Sequence, residues 1–311
     1  MTGSGQSPLT PHSHAEHEIT LLWWVMFGVA CTGLTLVAVL LLLGWIRRNR
    51  ESLPFGGNEK TAMRLIVGLG IATPVVLLSA LFVWSDVFVI RSTAAPSPRS
   101  TPLTVHVIGH QWFWEIRYEG VPGSTVNELH IPVRTRVNVL GTTADVIHSI
   151  WVPELNRKAD VIPGRTNRLL LYADRPGTYL GQCGEYCGLQ HAHMQLMVIA
   201  EPRARFEQWL RQLGQPASAA ANGHGLQVFV DNGCANCHAI RGTRANAHAG
   251  PDLTHVGSRE TLAAGTIPND TEHLREFIRD PQAIKPGAKM PQLPQTPSQT
   301  DTLVRYLESL K

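Results

Sequence analysis

Two unbroken apolar stretches dominate the N-terminal third of the chain. Residues 19–46 form 28 positions without a charge between Glu18 and Arg47, and residues 65–85 form 21 more between Arg64 and Asp86. A helix needs about 20 apolar residues to cross the hydrocarbon core, so the pattern predicts a two-helix transmembrane hairpin over residues 19–90. Buried core helices are the alternative, and uncharged runs of this length are rare among them. A cleaved signal peptide fits poorly, because residues 1–18 hold no Lys or Arg. Arg47, Arg48, Arg50, Lys60 and Arg64 cluster between the runs, which makes that loop cytoplasmic by the positive-inside rule. The 1–18 tail then lies outside, as does everything after about Val89, roughly 220 residues. Trp23, Trp24, Trp45 and Trp84 suit interfacial anchoring, and Pro74 suits a kink whose freed carbonyl neighbouring helices satisfy.

After the hairpin the pattern changes to alternation. Residues 91–102 are rich in Ser, Pro and Thr and read as a linker. Short β-patterned runs follow at 103–108, 112–118, 128–131, 136–140, 167–171 and 195–200. Turn pairs separate them, among them Pro122-Gly123, Pro163-Gly164 and Pro176-Gly177. Many short strands with frequent turns predict an all-β sandwich over 101–201. Residues 201–213 read as an amphipathic helix. Residues 214–223 read as a flexible linker that brings a C-terminal domain near without fixing its pose. Helical patterns at 225–232, 272–279 and 299–310 predict a small all-α domain over 223–311, with helix and linker at 202–222.

Composition narrows the function classes. With 43% hydrophobic and 16% charged residues the chain is not disordered. The uneven placement of its apolar residues excludes a polytopic transporter. Lys and Arg number 27 against 24 Asp and Glu, too slight an excess for a nucleic-acid binder. Five cysteines in 311 residues make no disulfide scaffold, but beside fourteen histidines they suggest metal chemistry.

The β-rich segment contains Cys183-Gly-Glu185-Tyr-Cys187-Gly-Leu-Gln-His191-Ala-His-Met194, with His148 35 residues before Cys183. Two thiolates, two imidazoles and a thioether form a soft donor set that favours copper over calcium or magnesium. Two cysteines four residues apart in one loop allow both thiolates to bridge two metal ions. A zinc site from Cys183, Cys187, His191 and His148 is the competitor and leaves Met194 idle. A Cys183–Cys187 disulfide is a second alternative in an oxidising compartment. His193 is adjacent to the loop, where an alternating strand would aim it away; Met197 reads as core, and His106, His110 and His130 as hydrogen-bonded or exposed.

Cys234-Ala-Asn-Cys237-His238 is the attachment signature of a c-type haem. Two thioether bonds hold the vinyl groups and the histidine reaches the iron. A sixth ligand is expected from Met290, in a Pro-rich loop, since Met/His ligation raises the potential; His248, His255 and His273 are the alternatives. Cys31, inside the first apolar run, reads as a small apolar residue.

These residues resemble the binuclear copper A site of cytochrome c oxidase subunit II. The resemblance extends to Gly109-His-Gln-Trp112-Phe-Trp-Glu, Val152-Pro, Lys158, Asp160 and Pro163-Gly-Arg165, and covers the hairpin up to about residue 201. It implies a cupredoxin-like fold in which Cys183 and Cys187 bridge two coppers. His148 and His191 are then terminal ligands, with Met194 and the Glu185 carbonyl as weak ligands. It also implies that the Glu185 side chain touches a magnesium shared with a neighbouring subunit, and that electrons enter at Trp112. The acid that the family carries early in its second span is missing here, because no Asp or Glu lies between Lys60 and Ser85. The C-terminal segment resembles a class I cytochrome c, with Gly250-Pro251-Asp-Leu253 near the proximal histidine and Asp280-Pro281 and Lys285-Pro-Gly leading to Met290.

The fused arrangement resembles subunit II of the caa-type oxidases. It implies a bacterial inner-membrane protein with its redox domains on the periplasmic side. It further implies electron transport from an upstream cytochrome c or quinol–cytochrome c reductase, through covalent haem c and copper A, to subunit I. There oxygen is reduced to water with proton pumping. A copper A nitric oxide reductase subunit and a membrane-tethered electron carrier or copper-delivery protein are the alternatives. A quinol oxidase subunit would lack the copper ligands.

Overall fold

The computed structural model describes residues 6–48, 59–94, 97, 100–218 and 222–311. Arg50 of the basic loop and part of the 214–223 linker lie outside the described residues. The chain forms two compact units, one of residues 14–94 and one of residues 1–13 with 95–311.

The first unit consists of helix α1 (His14–Arg47) and helix α2 (Glu59–Thr93), each long and apolar enough to cross a membrane. Their apolar side chains, such as Leu34, Leu41 and Phe82, are exposed, which suits a lipid surface better than a watery one. Cys31 is among the exposed residues of α1. In α2 the hydrogen-bond ladder widens to π-helix at Gly68–Ala72, just ahead of Pro74, and again at Ser85–Ile90. A proline cannot donate to the preceding turn, and such local widening is one way a helix absorbs it. Helix continues to Thr93, so the linker begins later than residue 91.

In the second unit, two five-stranded sheets face each other. The first has the order β3 (Thr125–Val126), β2 (Phe113–Tyr118), β1 (Leu103–His110), β5 (Val137–Thr143) and β8 (Asn167–Leu171). The second has the order β4 (Glu128–Pro132), β10 (Gln195–Glu201), β9 (Gly177–Cys183), β6 (His148–Trp151) and β7 (Ala159–Val161). The pairs β1–β5 and β4–β10 are parallel and the rest antiparallel, the mark of connections that cross between sheets. Val105, Val107, Trp114, Ile116, Leu129, Ile131, Val139, Leu169 and Val198 alternate inward to form one core. The strands at 125–126, 148–151, 159–161 and 177–183 are additions to those expected from the sequence.

Helix α3 (Arg203–Leu213) closes this domain by burying Phe206 and Leu213 in its core. Its Trp209 stacks on His130 with centroids 3.8 Å apart, and His130 also meets Glu201 at 3.2 Å. His130 is thus buried, hydrogen-bonded and stacked.

The C-terminal domain has its own core, built by α4 (His224–Asp231), α5 (Thr271–Arg279), the short α6 (Pro281–Ile284) and α7 (Pro297–Ser309). A two-stranded ribbon, β11 (Thr261–Leu262) with β12 (Ile267–Pro268), precedes α5. Helices α4 and α7 cross at Gly225, where a Cβ would lie 2.5 Å from the ring of Tyr306. Asp270 and Thr296 cap α5 and α7 through the backbone N–H groups of His273 and Gln299.

Candidate metal and haem sites

Three strand ends build the first site. His148 opens β6 and Cys183 closes β9, and these strands pair with Ile150 opposite Cys183. Gly184 N–H donates to the Ser149 carbonyl at 2.9 Å, and Cys183 N–H to that of Met194 at 3.0 Å, which ties β6, β9 and the start of β10 together. The loop between Cys183 and β10 returns Cys187 beside Cys183. A 3-10 turn over His191–His193 then presents His191. The expected strand around His193 is therefore a turn. The ring of His193 turns to Gln190, with Nδ1 2.9 Å from the side-chain oxygen.

The sulfurs of Cys183 and Cys187 are 3.8 Å apart and both cysteines are free and buried, so they form no disulfide. His148 Nδ1 lies 3.8 Å from Cys183 Sγ, and His191 Nδ1 lies 3.6 Å from Cys187 Sγ. The fully buried Met194 places Sδ 3.9 Å from Cys187 Sγ, and the Glu185 carbonyl is 3.2 Å from Cys183 Sγ. The donor atoms of His148, Cys183 and Cys187 lie within 4.8 Å of one another. The Glu185 side chain is exposed. His191 and Cys183 also line a shallow cavity with Trp151, Lys158, Gln182 and Gly184.

The surroundings fix these donors. His148 Nε2 meets Asp145 Oδ1 at 2.9 Å, which leaves Nδ1 facing sulfur. Burial works to raise the Asp145 carboxyl, but hydrogen bonds from His148, Gln111 and Val146 lower it overall. Burial works to lower His148, and its bonds to Cys183 and Asp145 raise it. The hydrogen bond shared with Cys187 lowers the Cys183 thiol to about 3, and the same bond raises Cys187. A soft cation bound by both sulfurs would take the place of this shared hydrogen bond.

Trp112 lies in the two-residue turn between β1 and β2 and is buried. Its indole N–H donates to the Cys187 carbonyl at 3.0 Å, and the Gln111 amide donates to the same oxygen at 2.8 Å. Met197 is buried as expected, and His110 pairs with Glu115 at 3.1 Å.

The second site stands on α4. A left-handed Gly233 turns the chain into a 3-10 turn at Cys234–Asn236, and His238 follows. His238 Nδ1 lies 2.7 Å from the Pro251 carbonyl, so the ring donates there and keeps the Nε2 lone pair for a metal. Gly250 makes room for the ring: a Cβ there would be 2.8 Å from His238 Cε1. Burial lowers His238 below its ordinary value and pushes the Cys234 thiol up to about 11. Met290 is half-buried, and its carbonyl accepts from the Gln282 amide at 2.8 Å. Of the alternatives, His255 contacts the Gln215 carbonyl, His273 is occupied by Asp270, and His248 is exposed.

The expected loose pose of the C-terminal domain is corrected by contacts that sequence patterns cannot reveal. Glu128 on β4 accepts from Glu260 N–H at 2.8 Å and Thr261 N–H at 3.1 Å. The Gln190 amide donates to the Pro286 carbonyl at 2.8 Å. Arg241 donates to the Leu213 carbonyl at 2.6 Å. The two domains pack as parts of one unit.

Two family descriptions match this chain. "Cytochrome C oxidase subunit II, periplasmic domain" covers residues 123–201 and "Cytochrome c" covers residues 223–311. The chain carries the periplasmic domain of cytochrome c oxidase subunit II, with a cytochrome c domain fused at its C-terminus. Cytochrome c oxidase subunit 2 of Alkalihalophilus pseudofirmus is 40% identical over 223 residues, covering 70% of this chain and 64% of that protein. The same subunit of Bacillus sp. (strain PS3) is 29% identical over 265 residues, covering 81% and 73%. The chain thus spans about two thirds of the length of these relatives. The periplasmic domain of subunit II of cytochrome oxidase from Bradyrhizobium japonicum is 29% identical, covering 39% of this chain and 96% of that one. Its TM-score is 0.37, a likeness too slight to argue from. Trp112 lies before the matched segment of the periplasmic domain.

Proposed function

We propose that this subunit II chain is where electrons enter a haem–copper terminal oxidase. The observation that carries the reading is the convergence of His148, Cys183, Cys187, His191 and Met194 beside a domain bearing Cys234, Cys237 and His238. When bound, a binuclear copper A and a covalent haem c each supply reversible one-electron chemistry. The donor set fits the copper pair. Cys183 and Cys187 would bridge the ions, His148 and His191 would cap them, and Met194 and the Glu185 carbonyl would complete the shell. Zinc would leave the buried Met194 sulfur without a partner. Cys234 and Cys237 would hold the haem, with His238 Nε2 and Met290 Sδ as axial ligands.

This chain's residues set up the path. Trp112 is joined by its indole N–H to the carbonyl of a bridging cysteine, and would be the residue through which electrons reach copper. Asp145 holds the His148 ring in one orientation, and burial of both thiols keeps water from competing for the metal. Oxygen reduction to water and proton pumping would reside in subunit I, which would share a magnesium with the exposed Glu185 side chain. An upstream cytochrome c or quinol–cytochrome c reductase would be the donor.

The membrane sidedness has its own support. His12 N–H bonds the Glu154 carbonyl at 2.9 Å, and Asp174 N–H bonds the His12 carbonyl at 2.9 Å. The tail before α1 therefore belongs to the same unit as the copper domain, as two membrane crossings require. With the basic loop inside, both redox domains would face the periplasm of a bacterial cell membrane. The test is copper and covalent-haem analysis of the full chain purified in detergent. Two coppers and one haem per chain are expected; zinc, one copper, or no covalent haem would overturn the reading.

A further inference from the structure

Lys285 has no role in holding haem or copper, yet it is 4% exposed. An ammonium this deep carries a large desolvation cost unless its donors are met. It has three donors, and three carbonyls receive them: Trp112 at 2.6 Å, Ala263 at 3.0 Å and His193 at 3.3 Å. Two of these belong to the copper domain, whereas Lys285 and Ala263 belong to the cytochrome domain. Within its own domain alone the ammonium would keep a single partner among them, so its burial is an investment in docking. The flanking residues continue the contact. Pro286 accepts from Gln190, and a Cβ on Gly287 would lie 2.9 Å from Leu189 Cδ2 and 3.8 Å from the indole of Trp112. The segment leading to Met290 thus lies directly against the tryptophan whose N–H bonds the Cys187 carbonyl.

We propose that Lys285 is a positioning residue for electron entrance: its buried ammonium bridges the two domains and fixes the Met290 loop of the cytochrome domain on Trp112. The proposal rests on the reading of Trp112 and the two redox sites given above, and its test separates the two.

The reporter is a pair of cysteines, Leu189→Cys with Gly287→Cys, in the full chain carrying haem and copper. A Cβ at 287 would lie 3.9 Å from Leu189 Cβ, within the span a disulfide bridges. Gly287 sits at φ +80°, so the reporter is compared with and without Lys285→Met and the backbone strain cancels. With diamide as oxidant, the 189–287 crosslink should form at least tenfold more slowly when Lys285 is Met. In the uncrosslinked chain, haem-to-copper electron transfer after flash reduction should slow at least tenfold, with the haem and copper spectra unchanged. Crosslinking the Lys285→Met chain before the flash should restore the rate. Unchanged crosslinking, or a slow rate that the crosslink does not restore, overturns the positioning role. Lys285→Gln gives the same readouts if the Met variant does not fold. A chain that binds no copper but crosslinks as expected would refute the functional reading and leave the docking role standing.

Discussion

Asp145→Asn probes how strongly the surroundings of the proposed copper site govern it. The two carboxylate oxygens have separate duties. Oδ1 faces His148 Nε2 at 2.9 Å and accepts from Val146 N–H at 2.7 Å, while Oδ2 accepts from Gln111 N–H at 2.7 Å. Asparagine offers one acceptor oxygen and an NH2 group. If its oxygen keeps His148, the NH2 confronts the Gln111 N–H; if it flips, His148 loses its acceptor. A lost bond to a partly buried donor costs about 1–3 kcal/mol, or roughly 5- to 150-fold at 1.4 kcal/mol per tenfold. Outer partners of metal-ligating histidines are worth about 10–100-fold in metal affinity, so the two routes agree. Gln111 also bonds the Cys187 carbonyl, which spreads the disturbance to a proposed bridging ligand. Copper affinity of the full chain, measured by competition with a chelator of known strength, should fall about 10–100-fold with the haem spectrum unchanged. Affinity equal to the parent's would refute the claim that Asp145 orients His148.

Met290→Ala should abolish the sulfur-to-iron absorption band and lower the haem potential, as checked by optical redox titration; an intact band would assign the sixth ligand elsewhere. Trp112→Phe removes the indole N–H from Cys187 while the Gln111 bond remains; haem-to-copper transfer should slow with copper still bound, and a normal rate would point to another path. Burial raises Glu128 to about 7 from an ordinary 4.5, against the pull of Arg259 and its backbone hydrogen bonds. A raised carboxyl contributes stability that is fully present below pH 4.5 and lost as pH rises through 7, on the order of 3 kcal/mol. Hydrogen-exchange protection of the Glu260 and Thr261 amides, corrected for intrinsic rate, should therefore fall across that window. Glu128→Gln, which can still accept both bonds through one oxygen, should flatten the profile.

The legible parts of the fold were those with a pattern in composition. Charge-free runs revealed the hairpin, and β-branched alternation revealed β1, β2, β4, β5, β8 and β10. Strand β9 escaped because its inward positions are Tyr179, Gly181 and Cys183, which do not read as an apolar face. Gly181 is there for space: a Cβ would lie 2.7 Å from the Trp151 carbonyl. Strands β6 and β7 are four and three residues long, too short for alternation to register. The candidate metal donors were legible through residue type and spacing, since Cys183, Cys187, His191 and Met194 share one loop. The Asp145–His148 contact and the Trp112–Cys187 bond were not, because they depend on which strand ends meet. Domain docking was the least legible feature. Lys285 binds backbone carbonyls, which every residue carries, so no side-chain complement marks its partners in the sequence.

In the proposed site two thiolates hold a pair of coppers in one electronic unit. The electron paramagnetic resonance spectrum of the oxidised, copper-loaded full chain tests it most directly. One unpaired electron is expected, with a hyperfine pattern that shows equal coupling to two copper nuclei. A pattern from a single copper nucleus, or no copper signal from a chain that has taken up zinc, would contradict it.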